Sequence, residues 1–344
     1  MAPVAGRRRC SATLRSATVP RVLAATAAST SADDPLSGLE LGERPDPQAP
    51  EGWEVVRVLA ASLNHHDLWN LRGVGIDPDR LPIVLGCDAA GVAEDGREVV
   101  VHAVISTPGA ADDETLAPDF SILSERYDGT HAEFVAVPSR NLIDKPPGLS
   151  FAEAACLPTA YLTTYRMLFV KGALRPGQTV LVQGAGGGVA TAAILLGRAA
   201  GLRVWVTSRE QAKGERAVEL GAHAAFAAGE RLPDRVDCVL ETVGEATWKH
   251  SLRSLVPGGT ILVAGATSGP NPPADLARVF FRQVRILGAT MGTRHELADL
   301  VRMLETTGVR PLVDAELPLS EARDAYARLG EGEAFGKLVL TVEG

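Results

Sequence analysis

The sequence is poor in cysteine and in aromatic residues. Its 344 residues include four cysteines, Cys10, Cys87, Cys156 and Cys238, and no two of them form a CxxC pair. This excludes a disulfide framework and a cysteine-rich zinc lobe, and it is typical of a reducing compartment, so we expect a cytoplasmic protein. Aromatic residues make up 5% of the chain, against 35 glycines and 22 prolines. That balance predicts many tight turns around an aliphatic core.

Positive charge is also in deficit, because the net charge is −8. A broad basic face for nucleic acid is therefore not expected. Residues 176–197 carry no charge and are long enough to span a bilayer, but their glycines and polar residues favour a strand, a turn and a helix start. We expect no membrane partner. Residues 1–20 hold four arginines and no acid; we interpret them as a disordered extension, with a targeting peptide as the alternative.

The chain length suits two domains. Residues 21–150 contain short β-like runs separated by turns, which predicts a small barrel-like β domain. From residue 151 to 170 the spacing is helical, and Ser150 followed by Glu153 predicts a capping box. Strands and helices then alternate, which is typical of βαβ units in a parallel sheet. Helices near 296–307 and 317–329 and a strand at 337–342 follow, and they suggest that the chain returns to the first domain.

A glycine-rich turn follows the predicted strand at 179–182. Gly184, Gly187 and Ala190 stand where a dinucleotide-binding turn needs a tight bend, a close approach to phosphate and a small residue. The strict GxGxxG spacing fails because residue 189 is Val, and a flexible turn is the alternative interpretation. The placement between a strand and a helix favours a phosphate site at the helix N-terminus.

The next predicted strand indicates which nucleotide binds. An acid at its end would bind a ribose hydroxyl and favour NAD, but the strand ends in Ser208 and Arg209, with Lys213 one turn later. These donors and positive charges predict NADPH. The alternative is that Arg209 and Lys213 are solvated surface charges.

Several motifs together resemble the medium-chain dehydrogenase/reductase superfamily, most of all its zinc-free quinone oxidoreductase branch. They are Ala60–Asp67, Leu85–Gly91, Asp128–Phe134, the glycine turn and Leu220–Ala222. The resemblance implies an α/β fold, with a Rossmann doubly wound parallel sheet and a GroES-like β-barrel catalytic domain. It places the catalytic domain at 21–155 and 291–344, and the NADP-binding domain at 156–290. It also implies a homodimer formed through edge strands, for which residues 284–290 are the candidate.

The resemblance also predicts chemistry without zinc. The zinc-binding members of this superfamily hold a catalytic ion at positions that fall on Asn64, on Cys87 and near Thr159. Asn and Thr are poor zinc ligands. We therefore predict no metal, although a site built from His65, His66, Cys87 and Asp88 stays open.

Without a Lewis acid, the expected reaction is hydride transfer from NADPH to a small-molecule electron acceptor, a quinone or an α,β-unsaturated carbonyl. The resemblance puts Asn64 near nicotinamide and substrate, and we expect Asp67 to orient its loop. Tyr161 is the candidate proton donor, with a packed aromatic as the alternative and solvent as another proton source; the loop at 72–77 lacks the Tyr that some enoyl reductases carry. The predicted cofactor contacts are Thr163, Gly184, Gly187, Gly188, Val189, Ser208, Arg209, Lys213, Gly265, Ala266, Thr290 and Lys337.

Two other functions stay open. One is an alcohol or aldehyde dehydrogenase of the same superfamily. The other is a non-catalytic NADPH-binding sensor or scaffold, which the absence of an obvious acid–base residue suggests.

Overall fold

A mixed β-sheet and a parallel β-sheet organise the chain in the computed structural model, which describes residues 21–342. The extension predicted for residues 1–20 lies outside the described residues. The mixed sheet has seven strands and the parallel sheet has six, and two smaller sheets accompany the mixed one. We refer to the part built on the mixed sheet as the first or catalytic domain, and to the part built on the parallel sheet as the nucleotide-binding domain.

The first domain consists of short strands, as the sequence predicted. Its elements are β1 (Arg21–Ala27), β2 (Leu39–Pro45), β3 (Trp53–Ser62), α1 (His65–Leu71), β4 (Ile83–Val84), β5 (Asp88–Val92), β6 (Glu98–Val101), β7 (Val104–Ile105), β8 (Ser121–Ile122), β9 (Phe134–Pro138) and β10 (Leu142–Asp144). Helix α1 occupies a segment that we expected to be turns. Asn64 precedes this helix and its N–H donates to Asp67 Oδ2 at 2.7 Å, a local contact that satisfies a free donor at the helix start.

A helical segment links the domains, beginning where the capping box predicted. Ser150 Oγ accepts from the N–H of Glu153 at 3.2 Å, and the N–H of Ser150 donates back to Glu153 Oε2 at 2.8 Å. The segment contains α2 (Phe151–Ala155), a π-helical turn at Leu157–Tyr161, α3 (Leu162–Tyr165) and a second π-helical turn at Arg166–Lys171. Because π-helical turns change the angle between successive side chains, they set which of these side chains face the interior.

The parallel sheet has the Rossmann arrangement. Its elements are β11 (Thr179–Val182), α4 (Gly188–Ala199), β12 (Arg203–Ser208), α5 (Gln211–Leu220), β13 (Ala224–Ala227), β14 (Val236–Glu241), α6 (Glu245–Ser254), β15 (Leu255–Val263), α7 (Leu276–Arg282) and β16 (Arg285–Gly288). The spatial order is β13-β12-β11-β14-β15-β16, with every neighbouring pair parallel. The uncharged stretch at 176–197 is the strand, turn and helix that we predicted. Within residues 21–342, none of the helices has the length and apolarity needed to cross a membrane.

The last elements return to the first domain. They are α8 (Arg294–Thr307), β17 (Val313–Pro318), α9 (Ala322–Glu331) and β18 (Lys337–Thr341). Strand β18 lies between β3 and β17, with Val339 opposite Ser62. The helix predicted to begin at residue 317 starts instead at Ala322, because Leu317 pairs with Leu340 in the sheet and is buried there.

An ion-paired junction holds the loop before β8 against the rest of the molecule. Arg166 is 1% exposed, and its guanidinium pairs with Asp113 and, at 3.2 Å, with Glu296 at the start of α8. The neighbouring Glu114 accepts from the N–H of Arg294 at 2.5 Å and lies 3.1 Å from His102 Nε2. Three separate segments of the chain therefore meet through charge at this point.

Candidate active site

The glycine turn lies between β11 and α4, as the sequence predicted. Gly184 has a φ of +99°, a left-handed conformation that glycine adopts without strain. Gly187 is exposed and immediately precedes α4, and a Cβ added to it would meet nothing within 4 Å. The first N–H groups of a helix have no partners within the helix. The turn therefore offers free donors and open space, which suits a pyrophosphate.

The side chain of Lys337 runs against the first residue of α4. A Cβ added to Gly188 would lie 2.7 Å from Lys337 Cδ and 3.1 Å from Cβ of Ala160. The N–H of Gly336 also donates to the carbonyl of Gly186 at 2.8 Å. The C-terminal part of the catalytic domain is thus fastened to the glycine turn, and position 188 has no room for a side chain.

The ammonium group of Lys337 lies buried beside Asn64. Nζ donates to Asn64 Oδ1 and to the carbonyl of Leu63, both at 2.6 Å, and the side chain is 3% exposed. Asp88 Oδ2 lies 3.6 Å from Nζ and supplies the opposite charge. We expected Lys337 to contact the cofactor, but the structure directs its charge toward Asn64 and Asp88.

Asp88 is fully buried and accepts hydrogen bonds from three neighbours. Its Oδ2 accepts from Ser62 Oγ and from Asn64 Nδ2, both at 2.8 Å. Its Oδ1 accepts from Thr159 Oγ1 at 2.6 Å. The amide of Asn64 therefore accepts from Lys337 through its oxygen and donates to Asp88 through its nitrogen, which orients both neighbours. Thr159 is the least buried residue of this group.

These residues do not fit the zinc ion that the superfamily implies. The amide of Asn64 and the hydroxyl of Thr159 are poor zinc ligands, and both already bond to Asp88. In addition, the ammonium group of Lys337 lies 2.6 Å from Asn64 Oδ1, so a divalent cation bound to that oxygen would face strong charge repulsion.

His66, Asp67 and Cys87 form a second cluster next to Asn64. Asn64 Nδ2 lies 3.7 Å from Cys87 Sγ, and His66 Nε2 lies 3.2 Å from Glu125 Oε1. Burial opposes protonation of His66, but its interactions with the nearby Asp67, Cys87 and Glu125 outweigh it, so the pKa of His66 lies well above its ordinary value. Burial, together with the charges of Asp67 and a neighbouring carboxylate, raises the pKa of the Cys87 thiol to about 11.

Asp67 keeps its charge although it is completely buried. Burial raises the pKa of Asp67, but the interaction with the nearby His66 and the charge of His131 outweigh this effect and leave it below the ordinary value. Asp67 Oδ2 also accepts the N–H of Asn64 at the start of α1, and its role in orienting this loop stays a prediction. His65, by contrast, is exposed.

Tyr161 lies in the core and its hydroxyl does not point to an open cleft. The side chain is fully buried, and the hydroxyl accepts the N–H of Leu312 at 2.8 Å. Burial raises the pKa of Tyr161 far above its ordinary value. This geometry argues against the proton-donor role that we considered, and the packed aromatic describes the residue better.

Of the three residues predicted to bind the 2′-phosphate of NADPH, one has a side chain without a partner among the described residues. Ser208 Oγ donates to the carbonyl of Glu210 at 2.7 Å, and Lys213 Nζ donates to Glu210 Oε1 at 2.9 Å and to the carbonyl of Gly332 at 2.6 Å. Arg209 is exposed, and no hydrogen bond or ion pair holds its side chain among the described residues. Of the three, Arg209 is the residue free to bind an anion.

The remaining predicted contacts lie at strand and helix ends around the glycine turn. Thr163 is 6% exposed on α3, and the adjacent Thr164 donates to the carbonyl of Val189, which places α3 beside the start of α4. Gly265 lies just after β15 and packs against Thr242. A Cβ added to Gly265 would lie 3.0 Å from the carbonyl oxygen of Thr242. Two further predicted contacts also lie in loops after strands: Ala266 is half-buried and Thr290 is exposed.

A buried polar network that we did not predict supports the glycine turn. The carboxylate of Glu241 is fully buried and accepts from Ser251 Oγ at 2.6 Å. Gln183 Nε2 donates to Ser251 Oγ at 2.9 Å, and Gln183 Oε1 accepts from Thr207 Oγ1 at 2.7 Å. The N–H of Gly184 donates to Thr207 Oγ1 at 3.2 Å, so the network connects three strand ends to the turn.

Comparisons with known proteins agree with this architecture. Residues 50–147 match the alcohol dehydrogenase GroES-like domain, and residues 188–306 match the family described as zinc-binding dehydrogenase. A zinc-type alcohol dehydrogenase-like protein of Schizosaccharomyces pombe is 30% identical over 339 residues, which cover 90% of this chain and 98% of that protein. An acryloyl-coenzyme A reductase of Metallosphaera sedula is 29% identical over 323 residues, covering 88% of this chain and 96% of that protein.

A solved structure extends the likeness to three dimensions. An NAD-dependent alcohol dehydrogenase matches with a TM-score of 0.86 at 34% identity, covering 93% of this chain and 100% of that one. The match to the GroES-like domain, residues 50–147, includes Asn64 and Asp88. The chain therefore belongs to the medium-chain dehydrogenase/reductase superfamily and is an oxidoreductase that uses a nicotinamide dinucleotide.

Proposed function

We propose that this protein transfers a hydride from NADPH to an electron-poor carbon of an α,β-unsaturated carbonyl or a quinone, with no metal ion touching the acceptor. The observation that carries the proposal is the contact of Lys337 with Asn64 and Asp88. The ammonium group of Lys337 contacts Asn64, which falls at a position where the resemblance puts a ligand of the catalytic zinc ion. The acceptor must therefore already be activated, because no Lewis acid polarises it.

The residues of this chain would bind and orient the reactants. The glycine turn and the unengaged Arg209 would hold the pyrophosphate and the 2′-phosphate of NADPH. Lys337, Asn64 and Asp88 are buried and hold one another in place, so they would form a fixed side of the site, shielded from water, beside the start of α4. Tyr161 is held by Leu312, so we assign the proton that follows the hydride to solvent.

A named relative supports an alkene acceptor. The Metallosphaera sedula protein is an acryloyl-coenzyme A reductase, and its name describes the reduction of a carbon–carbon double bond conjugated to a thioester. A quinone is the other acceptor, because both accept a hydride at carbon without prior protonation.

The test is NADPH oxidation by chelator-treated protein with an enoyl thioester, a simple enone and a quinone. We expect loss of NADPH absorbance with at least one acceptor and no gain on adding Zn²⁺. Oxidation of alcohols with NADP⁺, but no reduction of these acceptors, would replace the proposal by an alcohol dehydrogenase. Tight NADPH binding with no oxidation across the panel would instead identify a non-catalytic nucleotide-binding protein.

A further inference from the structure

One atom from each of His66, Asp67 and Cys87 converges at a point behind the proposed acceptor site. The nitrogen, carboxylate oxygen and sulfur all lie within 4.8 Å of one another, and no other group of three such residues occurs in the described range 21–342. His66 Nδ1 and Asp67 Oδ1 are 3.9 Å apart. A tetrahedral ion with bonds of about 2.0–2.3 Å holds its ligand atoms about 3.3–3.8 Å apart, so the three side chains would have to move together by up to about 1 Å to bind one.

Two of these atoms are buried without a hydrogen-bond partner. His66 Nδ1 and Asp67 Oδ1 are near enough to attract each other as charges but too far apart for a hydrogen bond, and neither atom has another hydrogen-bond partner, although Asp67 is fully buried. Its other oxygen, Oδ2, is already used by the N–H of Asn64. Leaving a buried polar atom unpaired costs about 1–3 kcal/mol, so two such atoms side by side require an explanation.

The other nitrogen of His66 is held by a carboxylate. His66 Nε2 lies 3.2 Å from Glu125 Oε1. The second oxygen of Glu125 accepts from the N–H of Ile122 at 2.7 Å and from Ser121 Oγ at 3.2 Å, so this carboxylate cannot turn freely. A carboxylate that fixes one imidazole nitrogen and leaves the other for an ion is the usual support of a metal-binding histidine.

We propose that His66, Asp67 and Cys87 bind a transition metal ion of the zinc class. A nitrogen, an oxygen and a sulfur ligand suit Zn²⁺, whereas Mg²⁺ and Ca²⁺ take oxygen ligands. The ion would connect the start of α1 to the turn that carries Cys87 and Asp88. It would not occupy the positions of Asn64 and Thr159, which the ammonium group of Lys337 makes unsuitable.

The test uses Co²⁺ as a spectroscopic probe of the full-length protein after chelator treatment. We expect one equivalent to bind, with visible bands of tetrahedral Co²⁺ and a thiolate-to-cobalt charge-transfer band in the near ultraviolet. Cys87→Ser should remove the charge-transfer band, and His66→Gln should weaken Co²⁺ binding by at least about tenfold. His65→Gln is the matched control, because the adjacent exposed histidine should leave both properties unchanged.

The proposal is overturned if the parent protein binds no stoichiometric Co²⁺, or if the charge-transfer band survives in Cys87→Ser. It is also overturned if ¹H–¹⁵N spectra of the parent protein show His66 as an imidazolium that does not change on adding Zn²⁺, because His66 would then simply be a cation between Asp67 and Glu125. That measurement needs no variant, so it decides the matter even if a substitution prevents folding. Metal binding is read here without turnover, so its failure is distinguishable from failure of the proposed function.

Discussion

Gly188 and Lys337 are in direct contact, so the first residue of the nucleotide-binding helix and the buried cation of the active site share one small space. An added Cβ at Gly188 would be 2.7 Å from Lys337 Cδ. Cofactor binding and the arrangement around Asn64 are therefore coupled by packing.

Substitution of two adjacent glycines should separate these effects. Gly188→Ala displaces the side chain of Lys337, so we expect a lower melting temperature and weaker cofactor binding. Gly187→Ala meets open space in the free protein, so its melting temperature should stay unchanged while cofactor affinity falls. Thermal unfolding and calorimetric titration check both outcomes. Equal melting temperatures for the two variants would show that a side chain at position 188 does not displace Lys337.

Removing the buried cation should leave Asp88 uncompensated. Lys337→Met should lower the free energy of unfolding by about 3 kcal/mol, because Asp88 is fully buried and loses its counter-charge. Denaturant unfolding measures the change. In the double variant Lys337→Met/Asp88→Asn, much of this loss should be restored, since the unpaired charge is gone. Purely additive losses would show that the two charges are not coupled.

Arg209 should determine the preference for NADPH over NADH. A charge-assisted hydrogen bond is worth about 1.5–3 kcal/mol, so Arg209→Ala should weaken NADPH binding about 10- to 100-fold and leave NADH unaffected. Arg203→Ala is the matched control, because Arg203 is exposed at the opposite end of β12. Equal affinities of the parent protein for both cofactors would remove the basis for this assignment.

Acid should loosen the junction around Arg166. Burial raises the pKa of Asp113, but the hydrogen bond from Arg166 outweighs it and leaves the pKa below its ordinary value. The pKa of Asp113 is lower in the folded protein than in the unfolded chain, where it is near 3.8, so the charged carboxylate stabilises the fold above that pH. This stability is lost as the pH falls through the pKa of the folded state. The free energy of unfolding of the parent protein should therefore decline below about pH 4. The free energy of unfolding of Asp113→Asn should decline less over the same range. Asp112→Asn, at an exposed neighbour, should behave like the parent.

The edge of the parallel sheet should form a dimer interface. Among the strands of residues 21–342, β16 has an open edge, and nearby α7 exposes Phe280 by 62% and Phe281 by 76%. Large exposed apolar side chains beside an unpaired strand edge favour association with a second copy. Light scattering should give a dimer mass for the parent and a monomer for Phe280→Ser/Phe281→Ser. Leu116→Ser, also at an exposed apolar residue, should stay dimeric; a monomeric parent would refute the expectation.

Local patterns were sufficient for the glycine turn and the parallel sheet. The strand at 179–182, the glycines and the following helix are adjacent in sequence, and alternating strands and helices leave few topologies open. The capping box at Ser150 was equally readable, because its two partners are three residues apart.

Contacts between distant parts of the chain were not readable. Lys337 and Asn64 are 273 positions apart, so no spacing rule connects them. Glu125 lies in an irregular turn where no periodicity indicates its direction. Tyr161 closes a π-helical turn, which rotates the side chains away from the spacing that an α-helix would give.

The position of β18 has a consequence for synthesis on the ribosome. On one side, Ala60–Ser62 of β3 pair with β5, but on the other side their partners are Val339, Leu340 and Thr341 of β18, near the end of the described chain. One edge of β3 in the mixed sheet therefore stays unpaired while the nucleotide-binding domain is synthesised and folds. During that interval the nascent chain depends on protection from other strands, so a chaperone that shields β3 should raise its yield more than one that acts after release.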